Sequence, residues 1–379
     1  PTPRTRVHHG GGPTTDQARA RPVDVQVPLP MTSDRTPHAP PWPGPVPFAV
    51  APPETAAVAT APLPAPWASL RAPSRRRLLL AGTLTAASAA WGLPRPLRAA
   101  APAALHKPIP ASGERLSAIG LGSWITFNIG DDPQGRAGVT AVLRAFVEAG
   151  GGMLDSSPMY GSSQAVIGDA LTRLGHPPGV FAADKVWTGS AARGPGQAEA
   201  SRRLWGVPHF DLLQVHNLLA WEAQLPMLRA MQAAGRVRYV GITTSEGRRH
   251  DAFEQIMRRE RLDFVQLTYN PADREAERRL LPLAAERGLA VIANRPFRQG
   301  ALLRALAPHP LPGFAGELGC DGWAQLVLKF IVSHPAVTCA IPATSRVDHL
   351  RQNMRAALGP MPDAALRERI AAQVRSLVG

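Results

Sequence analysis

The chain has 379 residues, a formal net charge of +14 and 40 prolines, a length that suits one large domain or two ordinary ones. Residues 1–104 hold eleven arginines against four acids, a surplus of +7 that leaves half the charge outside any folded part. The other arginines alternate with acids, as in Arg258-Arg259-Glu260-Arg261 and Arg274-Glu275-Ala276-Glu277-Arg278-Arg279, which describes solvated helix faces and argues against a nucleic-acid partner.

More than half of the prolines precede residue 111, in runs such as Pro40-Pro41-Trp42-Pro43-Gly44-Pro45. A segment of this composition cannot bury enough apolar surface to offset its ordering entropy, so 1–73 reads as disordered. The sequence begins at Pro1, and Met31 is a candidate start. Ser74-Arg75-Arg76-Arg77-Leu78-Leu79-Leu80, an Ala/Leu-rich run to about Leu93, and Arg98-Ala99-Ala100-Ala101-Pro102-Ala103-Ala104 follow. Basic region, modest apolar region and small residues in that order make 74–104 a signal peptide. Its paired arginines resemble a twin-arginine export signal, with the export machinery as partner and a periplasmic or extracellular destination. The apolar run is short of the roughly 20 residues a span needs; cleavage is expected, and a retained anchor is the alternative. Two cysteines, Cys320 and Cys339, make no disulfide framework: they are two separate thiols or one bridge. No residues are assigned to a metal.

From about residue 115, short apolar runs alternate with amphipathic stretches. The predicted strands are Ala118–Leu121, Met153–Asp155, Val180–Val186, Asp211–His216, Tyr239–Thr243, Phe264–Tyr269, Ala290–Ala293 and Thr338–Ile341. The predicted helices cover roughly 138–149, 164–174, 197–205, 222–234, 248–260, 273–287, 322–333 and 346–357. Eight strand–helix units imply a parallel sheet covered on both faces. Over 108–379 they suit a closed (β/α)₈ TIM barrel; a doubly wound open sheet is the alternative. No Gly-x-Gly-x-x-Gly joins a strand to a helix. The chain stops soon after 346–357, which suggests an open cleft without a long C-terminal loop.

Polar residues close several of these strands. Asp155 ends the second, Lys185 the third and His216 the fourth, and Tyr160 follows Asp155 on a turn marked by Pro158 and Gly161. In a barrel these strand ends are neighbours on one rim, so four such residues point to one site. Only three residues are lysine, Lys107, Lys185 and Lys329, against 39 arginines. A chain that otherwise writes Arg uses Lys185 where a compact ammonium is needed.

These residues sit in familiar surroundings. Ile119-Gly120-Leu121-Gly122-Ser123-Trp124, Leu154-Asp155-Ser156-Ser157-Pro158-Met159-Tyr160-Gly161, Asp184-Lys185-Val186-Trp187 and Leu213-Gln214-Val215-His216-Asn217 resemble the aldo-keto reductase family. So do Gly241-Ile242-Thr243, Gln266-Leu267-Thr268-Tyr269-Asn270 and Ile341-Pro342-Ala343-Thr344-Ser345-Arg346-Val347-Asp348-His349. The resemblance runs from about Pro108 to the end. It implies a TIM barrel that reduces an aldehyde or ketone with NADPH, or with NADH, and a catalytic tetrad of Asp155, Tyr160, Lys185 and His216. Tyr160 would give the proton, Lys185 would stabilise its phenolate, and His216 would orient the carbonyl oxygen.

By the same resemblance Thr243 and Gln266 fall where the family binds the nicotinamide amide. Asn294 stands where an aromatic commonly stacks on the ring, Thr244 where Asn is common, and Ala343 where a lysine often meets the 2′-phosphate. Thr344, Arg346, His349 and Asn353 are the remaining candidates for phosphate and adenine. Trp124, Trp187, Asn217 and Trp221 are candidates for the substrate cleft. The altered stacking position leaves a second expectation, a nucleotide-binding or redox-sensing barrel subunit with little turnover.

Overall fold

The computed structural model describes residues 104–378. The expected Pro-rich segment 1–73 lies outside the described residues, as does the expected signal peptide 74–104 apart from Ala104. Among the described residues no helix is long and apolar enough to cross a membrane.

The first element is an antiparallel hairpin that the predicted strand order lacks. β1 (His106–Pro108) pairs with β2 (Arg115–Ser117). Eight parallel strands follow: β3 (Leu121–Gly122), β4 (Met153–Asp155), β5 (Phe181–Val186), β6 (Phe210–Val215), β7 (Val237–Thr243), β8 (Phe264–Thr268), β9 (Ala290–Asn294) and β10 (Cys339–Ala340). They stand in sequence order from β3 to β10. Parallel bridges Ile119–Ala340 and Gly122–Ala343 join the first strand to the last. The sheet is therefore closed, and the (β/α)₈ barrel replaces the open-sheet alternative.

The helices are α1 (Pro133–Glu148), α2 (Ser163–Arg173), α3 (Gly194–Trp205), α4 (Trp221–Ala233), α5 (His250–Arg259), α6 (Leu280–Glu286), α7 (Ala301–Leu306), α8 (Phe314–Glu317), α9 (Trp323–Val332), α10 (Val347–Arg355) and α11 (Ala364–Val378). Asp132 starts α1 by accepting from Gln134 N and Gly135 N, with Pro133 at the first helical position. The expectation that the last helix covers 346–357 is corrected by α11. Asp363 opens that helix, accepting from Leu366 N at 2.8 Å. Arg367 ties it to the barrel wall through Glu277 Oε1 at 3.0 Å and through the Tyr269 hydroxyl.

Side-chain alternation divides the core in two. Met153, Phe181, Ala183, Leu212, Tyr239, Phe264, Ala290, Ile292 and Cys339 fill the barrel, and Ile109 and Leu116 of the hairpin join them. The intervening strand residues face the helices and belong to the larger outer core. Strand side chains alternate with period two. Counting up β4, β5, β6, β8 and β9 from those inner residues puts Asp155, Lys185, Gln214, Gln266 and Asn294 on the inner face. The same count puts Asp184 on the outer face. Cys320 and Cys339 are separate buried thiols.

Candidate active site

The inward residues meet at the C-terminal ends of the strands. Lys185 Nζ donates to Asp155 Oδ2 at 2.6 Å and to the Ser156 carbonyl at 2.7 Å. Gln266 Nε2 donates to the other carboxylate oxygen, Asp155 Oδ1, at 2.9 Å. Burial opposes the Lys185 ammonium, yet the Asp155 carboxylate and the Tyr160 hydroxyl beside it hold its pKa above the usual lysine value. Lys185 stays charged, and a buried charge paired this way is retained rather than neutralised.

Tyr160 sits beside this pair on the turn after β4. Lys185 Nζ lies 5.2 Å from the centre of its ring. Part of the ring faces open space, but the hydroxyl is deep enough that burial pushes the phenol up to about 12, with Lys185 pulling the other way. The His216 ring meets Tyr160 edge-on, centres 5.6 Å apart. Burial, and then the Lys185 charge, hold the His216 pKa well below the usual histidine value, so the imidazole is neutral. Its Nδ1 lies 2.8 Å from Ser157 Oγ. Ser157 Oγ already accepts from Met159 N at 3.2 Å, which favours its own hydrogen pointing at Nδ1. The imidazole proton then rests on Nε2.

Asp155, Tyr160 and His216 line a cleft of about 710 Å³. One end is walled by Trp124, Ile125, Met159 and Asn217, the other by Leu303, Arg304, Thr344, His349, Gln352 and Asn353. Thr243, Gln266 and Asn294 lie in the wall as expected, but each has protein partners. Thr243 Oγ1 accepts from Asn217 N at 2.9 Å. Asn294 Oδ1 accepts from Thr268 Oγ1 at 2.7 Å while its Nδ2 donates to the Thr244 carbonyl at 2.9 Å. Asn294 thus clasps three strand ends together and carries no aromatic ring to stack on a nicotinamide. Among the described residues Gln266 Oε1 has no hydrogen-bond donor.

Besides Lys185, which is buried behind Tyr160, three of the expected residues are not in the cleft wall. Arg346 is ion-paired with Asp348 at 2.6 Å, with 63% of its side chain exposed. Trp187 is exposed, its backbone held at both ends by Gln197. Trp221 packs half-buried against the outer core. Arg304 lines the far end of the cleft and has no ion pair among the described residues. A dinucleotide fits this donor set, with an open amide oxygen at Gln266 near the catalytic end and uncommitted cationic and amide groups at the other.

The geometry is that of a known family. Residues 118–369 match the model of the aldo/keto reductase family. The chain belongs to it. Methylglyoxal reductase YeaE of Escherichia coli (strain K12) is 29% identical over 256 residues, which span 65% of this chain and 88% of that protein. An uncharacterized oxidoreductase of Schizosaccharomyces pombe, C215.11c, is 26% identical over 248 residues, spanning 60% of this chain and 77% of its own. Among solved structures, an aldo/keto reductase from Klebsiella pneumoniae in complex with NADP and acetate shares 26% identity. It superposes with a TM-score of 0.58 over 69% of this chain and 93% of that one. The holo form of aldo-keto reductase AKR11C1 from Bacillus halodurans, at 21% identity and a TM-score of 0.60 over 72% of this chain and 96% of its own, shares the fold.

Two residues of this aldo/keto reductase shape the site although no role was expected of them. Ser157 is one, as the partner of His216. Asp184 is another: buried behind Lys185, it accepts from Gln164 Nε2 at 2.7 Å, and Gln164 also donates to Ser201 Oγ at 2.9 Å. The approach of α2 to α3 that encloses this triad needs Gly168, where a Cβ would stand 1.8 Å from the Leu204 carbonyl. Buried polar residues at alternate strand positions are the only signal that could have marked Asp184.

Proposed function

We propose that this protein reduces an aldehyde or ketone to an alcohol with NADPH, Tyr160 giving the proton. The observation that carries this reading is the Asp155–Lys185–Tyr160–His216 cluster opening onto one end of a single long cleft. NADPH held there would supply the hydride to the carbonyl carbon and become NADP⁺, and one proton delivered to the oxygen closes the balance. Gln266 and Thr243 would hold the nicotinamide amide. Arg304, Thr344, His349, Gln352 and Asn353 would hold the phosphate and adenine end. The structurally similar Klebsiella pneumoniae enzyme with NADP supports the choice of cofactor.

His216 Nε2–H orients the carbonyl oxygen and meets the negative charge that develops there. Tyr160 is fully protonated near neutrality, so its proton is available. As that proton leaves, the Lys185 ammonium stabilises the phenolate, and Asp155 keeps Lys185 charged and in place. Consumption of NADPH, followed by absorbance with methylglyoxal and with aromatic aldehydes, tests this. The relationship to methylglyoxal reductase makes the first a natural probe.

The clasped Asn294 favours a second reading, a nucleotide-sensing barrel with little turnover. NADPH that binds tightly while no carbonyl compound is reduced would select it. Export through a twin-arginine route is proposed from Arg75 and Arg76 alone; Lys at both positions should leave unprocessed precursor inside the cell, and continued export would contradict it.

A further inference from the structure

Arg295 follows β9 directly and carries a left-handed backbone, φ 49°, which a residue with a side chain adopts at a cost. Its guanidinium Nη1 donates to Glu246 Oε1 at 2.9 Å, and its central carbon stands 6.0 Å from the Trp124 ring. The side chain is 20% exposed. Glu246 also pairs with Arg248, so two guanidiniums share one carboxylate and the trio keeps a net positive charge. Among the described residues the bond to Glu246 is the only one that the Arg295 guanidinium makes, which leaves Nε and Nη2 uncommitted. Trp124 in turn lies 6.3 Å from the Tyr160 ring, and Arg295, Trp124, Tyr160, Met159 and Phe297 all line the same cleft.

We propose that Arg295 is the subsite for an anionic group on the substrate. The enzyme then takes aldehydes or ketones whose carboxylate stands several ångströms from the carbonyl, across a flat or extended apolar spacer. The proposal rests on carbonyl reduction at Tyr160 and names the substrate class. Three features of the cleft select that class. A guanidinium held between a carboxylate and an indole is pre-organised and offers its remaining donors to a planar, bidentate acceptor. One carboxylate neutralises the single net positive charge of the trio, whereas a dianionic phosphate would leave negative charge in excess beside Glu246. Arg295 and Tyr160 both stand beside the Trp124 ring, at 6.0 and 6.3 Å from its centre, so the indole lies next to any substrate that reaches from one to the other. The indole face supplies the wall for the spacer.

The test compares terephthalaldehydic acid with its methyl ester, two aldehydes of matched shape that differ by one charge. In the wild type the acid should exceed the ester in kcat/KM by at least about tenfold, since charge-assisted hydrogen bonds contribute on that order. Arg295→Gln should cut the acid-to-ester ratio at least about tenfold, chiefly through KM of the acid, and Arg295→Lys should fall between. NADPH affinity of each variant is measured by fluorescence titration alongside. A wild-type ratio near one, or a ratio unchanged in Arg295→Gln, overturns the proposal. So does a variant that loses NADPH affinity while both aldehydes suffer equally, because Arg295 would then serve the cofactor. If the wild type reduces neither aldehyde nor any other carbonyl compound, the reductase reading fails instead. Calorimetric binding of terephthalaldehydic acid to wild type and Arg295→Gln then decides the anion subsite by itself: binding lost in the variant supports it, and equal or absent binding overturns it.

Discussion

Lys185 Nζ lies 2.6 Å from Asp155 Oδ2, and neither side chain reaches solvent, at 0% and 2% exposure. The pair fixes a point charge behind Tyr160 that a larger cation cannot reproduce. Lys185→Arg keeps the charge, and its fork can hold Asp155, but the charge spreads over three nitrogens and the planar group needs more room. We expect it to fold with some loss of thermal stability from overpacking. Its kcat/KM should fall at least about tenfold, as losing one unit of the lowering that Lys185 exerts against burial on the phenol implies. Paired thermal melts and steady-state assays check this; a stable, fully active variant would show that the site needs only a charge.

Ser157 and His216 give a second expectation. Ser157→Ala removes the hydroxyl at His216 Nδ1 and frees the ring to take the other tautomer. We expect kcat/KM to fall roughly three- to tenfold, the cost of about one hydrogen bond, with NADPH affinity unchanged in a fluorescence titration. Because His216 is already neutral, the pH profile of reduction should show no inflection from the imidazole near the ordinary histidine value. An inflection there that persists in Asp184→Asn, which removes the carboxyl that burial pushes up to about 7, would mean that imidazolium takes part.

Much of this was legible in the sequence because alternation in a strand is a strong signal. Met153, Phe181 and Leu212 face the barrel, so Asp155, Lys185 and His216 had to face one another at its rim. Lysine scarcity was a less specific signal than it looked. Lys107 Nζ donates to the carbonyls of His334 and Val337, each at 2.7 Å, and Lys329 Nζ to those of Leu358 and Pro360 at 2.5 and 2.8 Å. All three lysines are confined ammonium groups, and two of them hold the fold rather than the site. The hairpin β1–β2 and the short helices α7 and α8 escaped because elements this short show no period. Arg346 and Arg304 could not be told apart from spacing: which one faces the cleft depends on how α7 and α10 pack, a long-range outcome.

Asp184 supplies a pH-dependent prediction. Burial pushes its carboxyl up to about 7, with the Lys185 charge opposing. A raised folded-state pKa means a contribution fully present below the unfolded value, near 3.8, and lost as pH rises through 7. Asp184→Asn has no charge to bury, and Gln164 can turn its amide to accept from the new side chain and from Ser201. We expect the variant to melt above wild type at pH 8 and to lose most of that advantage at pH 5. His216 and His334 titrate with the opposite sign as pH falls below about 6.5, His334 lowered to about 4 by burial and Arg367, but they do so in both proteins. A melting difference that does not change with pH would place no titrating carboxyl at Asp184.

The proton from Tyr160 is the centre of the account. Tyr160→Phe keeps the ring against Trp124 and His216, with centres at 6.3 and 5.6 Å, and removes only the hydroxyl. The measurement is single-turnover oxidation of bound NADPH by an aldehyde that the wild type reduces, with NADPH affinity determined on the same samples. The account predicts a rate lower by at least about 10²-fold, the usual contribution of a general acid, at an affinity within about twofold of wild type. A rate within a few-fold of wild type would contradict it, and Tyr160 could not be the proton donor.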